Sequence, residues 1–347
     1  MRRLGQRTLE FDRPTILSHG AVGGKREAEG PLGGDFDQTF GDTTLQEESW
    51  EKAEARLQKE AVTLALEKAG LSPQEVDFIL AGDLLNQCIS STFGLLDFGI
   101  PFLGQYGACS TMAQTLLLAS ILVESGAAEK ALAVTSSHFC SAERQFRLPL
   151  EYGGQRAPTA QWTATAAGCA LVGLGGKVRV ARGLAGAIQD LGVKDPANMG
   201  AAMAPAAAAS LYQFLQDTGT SPGDYDGIFT GDLGAVGSQL LYQCLEDNHV
   251  DVRSVHQDCG LLLYDRQRQD VHAGGSGCGC SASVLCGHLL RCMERGELRN
   301  ILFCATGALM SPTKVPAYKR VNPVFIAATG KWNICAILKR AISYSKM

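Results

Sequence analysis

A cysteine between two predicted elements is the residue in this sequence best placed for chemistry. Cys109 lies in the stretch Gly107 to Thr111. An apolar, strand-like run, Ile100 to Leu103, precedes this stretch, and a small, apolar helical run, Met112 to Val123, follows it. The free N–H groups and positive end of a helix stabilise a thiolate or another anion. The corner therefore predicts either an exposed nucleophile with a lowered thiol pKa or an anion-binding pocket, and the residues alone leave both open.

Two aspartates and two histidines lie beside predicted strand ends or corners. Asp83 and Asp232 end buried strands, where ligands gather in open α/β sheets. We expect a pocket role for Asp83 and a helix-capping role for Asp232. His138 follows a buried strand and His272 precedes a second corner. Either could act as a base, although a histidine without a marked partner is more often structural.

Three arginines lie close together in one polar stretch. Arg144, Arg147 and Arg156 belong to a segment rich in Gln, Tyr and Gly. Guanidinium groups bind carboxylates through paired hydrogen bonds, so three on one loop could clamp a carboxylate. A solvated surface or a subunit contact is nearly as good an interpretation.

The 12 cysteines predict reduced thiols rather than a disulfide framework or a metal site. The chain opens Met1-Arg2-Arg3 with no apolar signal core behind it, and several cysteines lie in apolar periodic runs. Such cysteines behave as small buried hydrophobic residues. Cys278-Gly279-Cys280 lacks a second close pair of ligands, since His256 and Cys259 lie in a different segment. No metal is therefore expected.

Length and charge exclude several classes of protein. With 347 residues, the chain can form two domain-sized units with a large core. A net charge of −4 argues against a nucleic-acid binder with a broad basic face. No run approaches the ~20 apolar residues needed to span a bilayer, so membrane association would be peripheral.

A repeat organises the elements that must position these side chains. Residues 60–83 and 206–232 each predict a helix, a Ser-Pro turn, a buried strand and a terminal Gly-Asp. The cysteine corner repeats at Cys278 to Ser281, and each corner is followed by a helix, a glycine and a buried strand. We therefore predict an α/β fold of two pseudo-symmetric βα halves, residues 1–180 and 181–347, with the residues after about 313 atypical.

A cysteine corner in a duplicated βα half resembles the thiolase-like superfamily, which includes thiolases and ketoacyl synthases. The resemblance implies a layered α-β-α-β-α architecture. In those enzymes the cysteine is acylated and works with a His and with an Asn or second His from the other half. The matching positions here read Thr230 to Gly234, which contains Asp232, and Gly274 to Cys278. Neither supplies the expected base or oxyanion donor, which implies a thiolase-like fold without catalysis.

Several longer segments carry a narrower resemblance. These segments are Glu29 to Gly33, Leu80 to Gln87, Gly107 to Thr111, Ser136 to His138, Ala142 to Arg147, Glu151 to Gln155 and Ala273 to Cys278. They resemble the stage V sporulation protein AD (SpoVAD) family. The match runs from about Thr8 to Pro312, whereas Lys314 to Met347 departs from the strand with which the family usually ends. The last strand is therefore in question.

The SpoVAD resemblance implies a non-enzymatic role in the SpoVA apparatus, which moves dipicolinic acid, with calcium, into the developing spore. It implies no cofactor and a peripheral location at the spore inner membrane, with no transmembrane segment. Dipicolinate is a flat pyridine with two carboxylates, which suits arginines, helix N-terminal N–H groups and a glycine wall. The expected ligand-binding residues are Asp83, Asn86, Cys109, His138, Arg144, Arg147, Gly275 and Gly277.

Other SpoVA proteins are the expected protein partners, and a homodimer is expected because thiolase-like folds commonly pair through the edge strand after the cysteine helix. One alternative is an acyl-CoA condensing or thiolytic enzyme that uses Cys109. Another is a scaffold whose pocket is vestigial.

Overall fold

The computed structural model describes residues 1–146, 156–189, 191, 193, 195, 197–309, 326–327 and 334–340. Its helices are α1 Lys25–Ala28, α2 Trp50–Ala69, α3 Ile89–Gly94, α4 Thr111–Ser125, α5 Phe139–Phe146, α6 Met199–Thr218, α7 Gly234–Glu246, α8 Cys259–Leu263, α9 Cys278–Ser283 and α10 Leu290–Arg295. A π-helical turn, Val284–Leu289, joins α9 to α10.

The strands of the first half are β1 Arg2–Leu4, β2 Thr8–Glu10, β3 Thr15–Gly23, β4 Gln38–Thr39, β5 Phe78–Gly82, β6 Phe102–Gly104, β7 Ala131–Ser137, β8 Trp162–Thr163 and β9 Ala166–Gly173. Those of the second are β10 Val178–Ala185, β11 Gly227–Thr230, β12 His256–Asp258, β13 Gly275–Ser276, β14 Asn300–Ala305, β15 Ala308–Leu309, β16 Ile326–Ala327 and β17 Ile334–Arg340.

The hydrogen-bonded strands form two matching half-sheets. The path runs β12-β11-β14-β17-β10-β3-β9-β7-β5-β6. β3 and β10 meet through only two residue pairs, Ile16 with Val178 and Thr15 with Arg179. On either side of this junction, a parallel pair continues the sheet, β5 with β7 in one half and β11 with β14 in the other. In chain order, β9 is therefore the last strand of the first half-sheet and β10 is the first strand of the second.

The half-sheets and helices stack in five layers. α2 packs outside β3, β9 and β7, and α6 packs against β10, β14 and β17. Between the half-sheets, α4 contacts strands of both, and α9 packs against β7 and β9. The predicted α/β fold with an α-β-α-β-α arrangement is confirmed.

The helix and Ser-Pro turn that repeat in the sequence also have the same local geometry in both halves of the structure. α2 and α6 each end at a left-handed glycine, Gly70 and Gly219, because glycine adopts positive φ without steric cost. In each half a Ser-Pro turn follows, in which the serine and a carboxylate three residues later cap one another. Local chemistry thus builds the same helix–turn–strand unit twice.

One described helical segment is long and apolar enough, by length and composition alone, to cross a membrane. This segment, Ala108–Ser125, is 78% buried inside the protein. A core helix passes the same test, and this segment includes α4, the helix between the two half-sheets.

The final described strand resolves the question raised by the atypical tail. β17 lies between β14 and β10 and pairs with both in antiparallel register. Residues 334–340 therefore complete the second half-sheet, although their sequence departs from the pattern expected there.

Candidate functional site

The cysteine corner is a tight turn between edge strand β6 and α4. Ala108 holds a positive φ of 49°, a conformation that non-glycine residues adopt rarely. The hydroxyl of Thr111 accepts a hydrogen bond from the Gly107 N–H at 3.1 Å. A Cβ atom on Gly307 would lie 2.8 Å from the Cys109 backbone nitrogen, so only glycine allows that loop of the second half to approach so closely.

Cys109 meets side chains of the other half through a short polar chain. Its Sγ lies 3.8 Å from the Ser276 Oγ. That hydroxyl donates to Asp232 Oδ2 at 3.0 Å, and the Gly277 N–H donates to the same oxygen at 2.9 Å. The other oxygen of Asp232, Oδ1, is buried without a hydrogen-bond partner among the described residues. This Cys109–Ser276–Asp232 cluster joins the two halves.

Burial controls the electrostatics of the cluster. The exposed fraction of Cys109 is 4%, and Asp232 is fully buried. Burial and the neighbouring Asp232 hold the pKa of the Cys109 thiol well above its usual range. Of the two alternatives left open by the sequence, the exposed nucleophile with a lowered pKa is therefore wrong, because loss of water outweighs the positive end of α4. Burial also raises the pKa of Asp232 to about 7.

The two strand-end aspartates have different surroundings in the structure. Asp83 accepts hydrogen bonds from the backbone N–H groups of Leu85 and Ser91, each at 2.8 Å, so it organises the turn into α3. Asp232 instead faces the cysteine corner. The predicted capping role of Asp232 is wrong because another carboxylate, Asp258, occupies that position. A ligand-binding role for Asp83 stays a prediction.

Asp258 anchors a buried hydrogen-bond chain that the sequence did not reveal. Its carboxylate accepts from the N–H groups of Leu233 and Gly234, at 2.7 and 3.0 Å, which orders the turn that carries Asp232. It also accepts from the Thr230 hydroxyl at 2.7 Å, and that hydroxyl contacts His256 Nε2 at 2.8 Å. The one signal for this chain in the sequence is that the second copy of the repeat has extra residues between Asp232 and Cys280, and these include His256 and Asp258.

The two candidate histidines have other partners. His138 is buried; its Nδ1 accepts from the Cys140 N–H at 3.2 Å, so Nε2 donates to the Thr43 carbonyl at 2.7 Å. Burial lowers the pKa of His138, which favours the neutral ring. His272 Nε2 lies 2.8 Å from the Asp270 carboxylate.

The arginines are spread over different contacts. Arg144 pairs with Glu51 and lies over the ring of Trp50 at 5.3 Å. Arg156 donates to the Asp270 carbonyl at 2.8 Å and lies 4.8 Å from the centre of the Trp162 ring. Arg147 lies outside the described residues. A shared carboxylate clamp therefore stays a prediction.

The remaining predicted residues divide between surface and interior. Asn86 is exposed, and its N–H donates to the Gln145 side chain at 3.3 Å. Gly275 and Gly277 are buried beside the cluster. Gly277 holds a φ of +97°, and a Cβ there would lie 2.7 Å from the Ser137 hydroxyl. Both glycines thus lie close to the cluster, and their role in a ligand-binding wall stays a prediction.

Comparison with solved structures identifies the fold of this protein. The chain is similar to 3-oxoacyl-[acyl-carrier-protein] synthase III from Aquifex aeolicus, with 13% identity and a TM-score of 0.56 over 94% of this chain and all of that one. An OleA variant from Xanthomonas campestris gives 12% identity and a TM-score of 0.60 over 95% of this chain and 99% of that one. The protein therefore has the thiolase fold, with a cysteine corner where its halves meet.

Sequence comparison narrows the class to a family. The family model for stage V sporulation protein AD (SpoVAD) matches residues 5–326, which extends beyond the predicted limit at Pro312. Stage V sporulation protein AD of Bacillus subtilis is 44% identical over 317 residues, which cover 91% of this chain and 94% of that protein. The chain belongs to the SpoVAD family, and its role is in sporulation.

Proposed function

We propose that this protein is a non-catalytic subunit of the SpoVA apparatus that binds dipicolinic acid beside Cys109. Such binding would support uptake of dipicolinate, with calcium, into the developing spore. Membership of the SpoVAD family supports the sporulation setting. The observation that carries the binding proposal is the Cys109–Ser276–Asp232 cluster, a buried polar site at the junction of the two halves.

The chemistry of the cluster favours binding over acyl transfer. A thiol attacks a thioester as its thiolate, which requires a base or a lowered pKa. The pKa of Cys109 is instead raised by burial and by Asp232. The start of α4 offers the positive end of a 15-residue helix. The positive end of a helix suits an anion that stays intact.

Isothermal calorimetry on the purified protein tests the proposal. We expect saturable dipicolinate binding that Cys109→Phe abolishes, because a ring beside Ser276 would fill the space a ligand needs. Arg144→Ala tests whether the arginine segment belongs to the same site as the Cys109 corner. Weaker dipicolinate binding by this variant would place Arg144 near the ligand despite its pairing with Glu51. Absence of binding at millimolar dipicolinate would reject direct binding and leave a scaffold role.

A Cys109-dependent acyl-CoA enzyme is the second candidate. It is favoured by the contact between the thiol and the hydrogen-bonded Ser276 and Asp232, since a carboxylate can accept a thiol proton. Mass spectrometry after incubation with an acyl-CoA distinguishes the candidates. A stable acyl adduct on Cys109, absent from Cys109→Ser, would favour the enzyme.

We further propose that the protein forms a homodimer and meets other SpoVA proteins at the spore inner membrane. The strand after the cysteine helix, β7, lies inside the sheet between β9 and β5, so the pairing edge is β6, which precedes that helix. Exposed apolar side chains lie on or near β6 and α3, and such patches mark interaction sites. These side chains are Ile89, Phe93, Leu96, Phe102, Leu103 and Tyr106. Light scattering should give a dimer mass that falls to the monomer for Leu103→Glu; a wild-type monomer at micromolar concentration would reject this interface.

A further inference from the structure

The charge of Asp232 conflicts with a carboxylate ligand beside Cys109. Asp232 is fully buried, and it faces the thiol across the Ser276 hydroxyl. An ionised carboxylate there would repel an incoming anion strongly, because little water is present to screen the two charges.

The groups around Asp232 are acidic or neutral. Cys109 at the start of α4 and Asp258 at the end of β12 both interact with its carboxylate. The charge of Asp232 also helps to raise the pKa of three more thiols, those of Cys259 on α8 and of Cys278 and Cys280 on α9. Among the described residues, Asp232 has no ion-pair partner, and no group of three or more His, Cys, Asp or Glu side chains is arranged to hold a metal ion. No described residue or metal site can neutralise the negative charge of the Asp232 carboxylate, so a proton must do so.

The hydrogen bonds of Asp232 leave one oxygen available for that proton. Oδ2 accepts from both Ser276 and Gly277. Oδ1 is buried and has no partner among the described residues. A proton on Oδ1 would preserve both existing bonds and turn an unsatisfied acceptor into a donor. Asp258 contrasts with this, because its two oxygens already accept from Thr230, Leu233 and Gly234.

We infer that binding of a carboxylate ligand beside Cys109 is coupled to uptake of one proton from solvent by Asp232, whose protonated carboxyl donates a hydrogen bond to the ligand. This inference rests on the proposed binding function and deepens it. The ligand class is then an anion that accepts a hydrogen bond, and its affinity depends on pH. The direction is fixed: affinity is greatest where Asp232 is protonated and falls as pH rises.

The size of the effect follows from the position of the titration. With the pKa of Asp232 raised to about 7, dipicolinate affinity should fall about 100-fold between about pH 6 and pH 9. At about pH 8, calorimetry in two buffers of different ionisation enthalpy should report about one proton taken up per dipicolinate bound. This second measurement needs no variant, so it does not depend on whether a substituted protein folds.

Variants identify the titrating group. Asp232→Asn should bind dipicolinate with an affinity nearly independent of pH and without proton uptake, since the amide donates a hydrogen bond at every pH. Asp258→Asn is the control for a second buried aspartate. Because Asp258 orders the turn that carries Asp232 and its charge helps to raise the Asp232 pKa, this variant should bind dipicolinate more weakly but should still take up about one proton at about pH 8.

Three results would overturn the inference. Wild-type binding without proton uptake at about pH 8 would reject the coupling and leave the proposed function intact. Proton uptake that persists in Asp232→Asn, or that disappears only in Asp258→Asn, would assign the proton to another group. Absence of dipicolinate binding even at about pH 6 would reject the binding function, and the inference with it.

Discussion

The buried carboxyl of Asp232 should make the stability of this protein depend on pH in a specific range. Burial raises its pKa from an ordinary 3.8 to about 7. A raised pKa means that the folded state holds the proton more tightly than the unfolded chain. Stability is therefore fully present below the unfolded pKa and is lost as pH rises through the folded value.

The magnitude follows from the distance between the folded and unfolded pKa values. The full difference corresponds to about 4 kcal/mol of unfolding free energy, because a tenfold change in proton affinity is worth about 1.4 kcal/mol. Between about pH 5 and pH 8, the part lost should be about 2.5 kcal/mol. This is a large share of the roughly 5–15 kcal/mol by which folded domains are typically stable.

Urea denaturation, followed by tryptophan fluorescence at several pH values, measures this loss. Asp232→Asn should remove most of the decline between about pH 6 and pH 8. Its absolute stability is a poorer test, because the new amide introduces a buried donor without a partner among the described residues, which costs about 1–3 kcal/mol. The change of stability with pH is therefore the decisive quantity.

A neighbouring carboxyl provides the control. Burial raises the pKa of Asp258 to about 6, so its contribution is lost at lower pH than that of Asp232. Asp258→Asn should flatten the curve chiefly below about pH 6. It should keep the decline due to Asp232 but move it to lower pH, because the charge of Asp258 contributes to the raised pKa of Asp232. A decline near pH 7 that is the same in wild type and Asp232→Asn would refute the reasoning.

Three further predictions concern the cysteine corner and the surface. Gly307→Ala should destabilise the protein by about 1–3 kcal/mol, because its Cβ would lie 2.4 Å from the Gly107 carbonyl oxygen. Gly223→Ala is the control, because its Cβ would have no contact closer than 3.9 Å. Equal losses of stability in urea denaturation would contradict the close approach at Gly307. Cys109 should react with iodoacetamide at neutral pH far more slowly in the folded protein than in urea, because burial raises its pKa; rapid labelling of the folded protein, detected by mass spectrometry, would contradict a buried neutral thiol. Arg144→Ala should change the free energy of unfolding by less than about 1 kcal/mol, as for other exposed ion pairs; a larger loss in urea denaturation would show that the pair is structural.

The fold was predictable because the signals that encode it are local. The repeated helix, Ser-Pro turn and strand lie within about 25 residues in each half, and the glycines that end α2 and α6 mark the same boundary twice. Each signal acts on neighbouring residues, so it can be recognised without knowing how the chain packs.

The site was predicted only in part because its contacts are not local. Cys109 was found from the corner that carries it, but the partner serine lies 167 residues away in the chain. The capping role predicted for Asp232 was wrong because Asp258, at the end of β12, accepts from the backbone N–H groups that Asp232 was expected to cap. The sequence left the direction of the thiol pKa shift open because burial depends on the complete tertiary structure.

The position of α4 between the half-sheets has a consequence for how the chain folds. Its side chains are buried on almost every face, against strands of both halves. A first half produced alone would therefore expose the side of α4 that packs on β10, β14 and β17. Although the sequence repeats, neither half is expected to be an independent folding unit, and both should unfold in one cooperative transition.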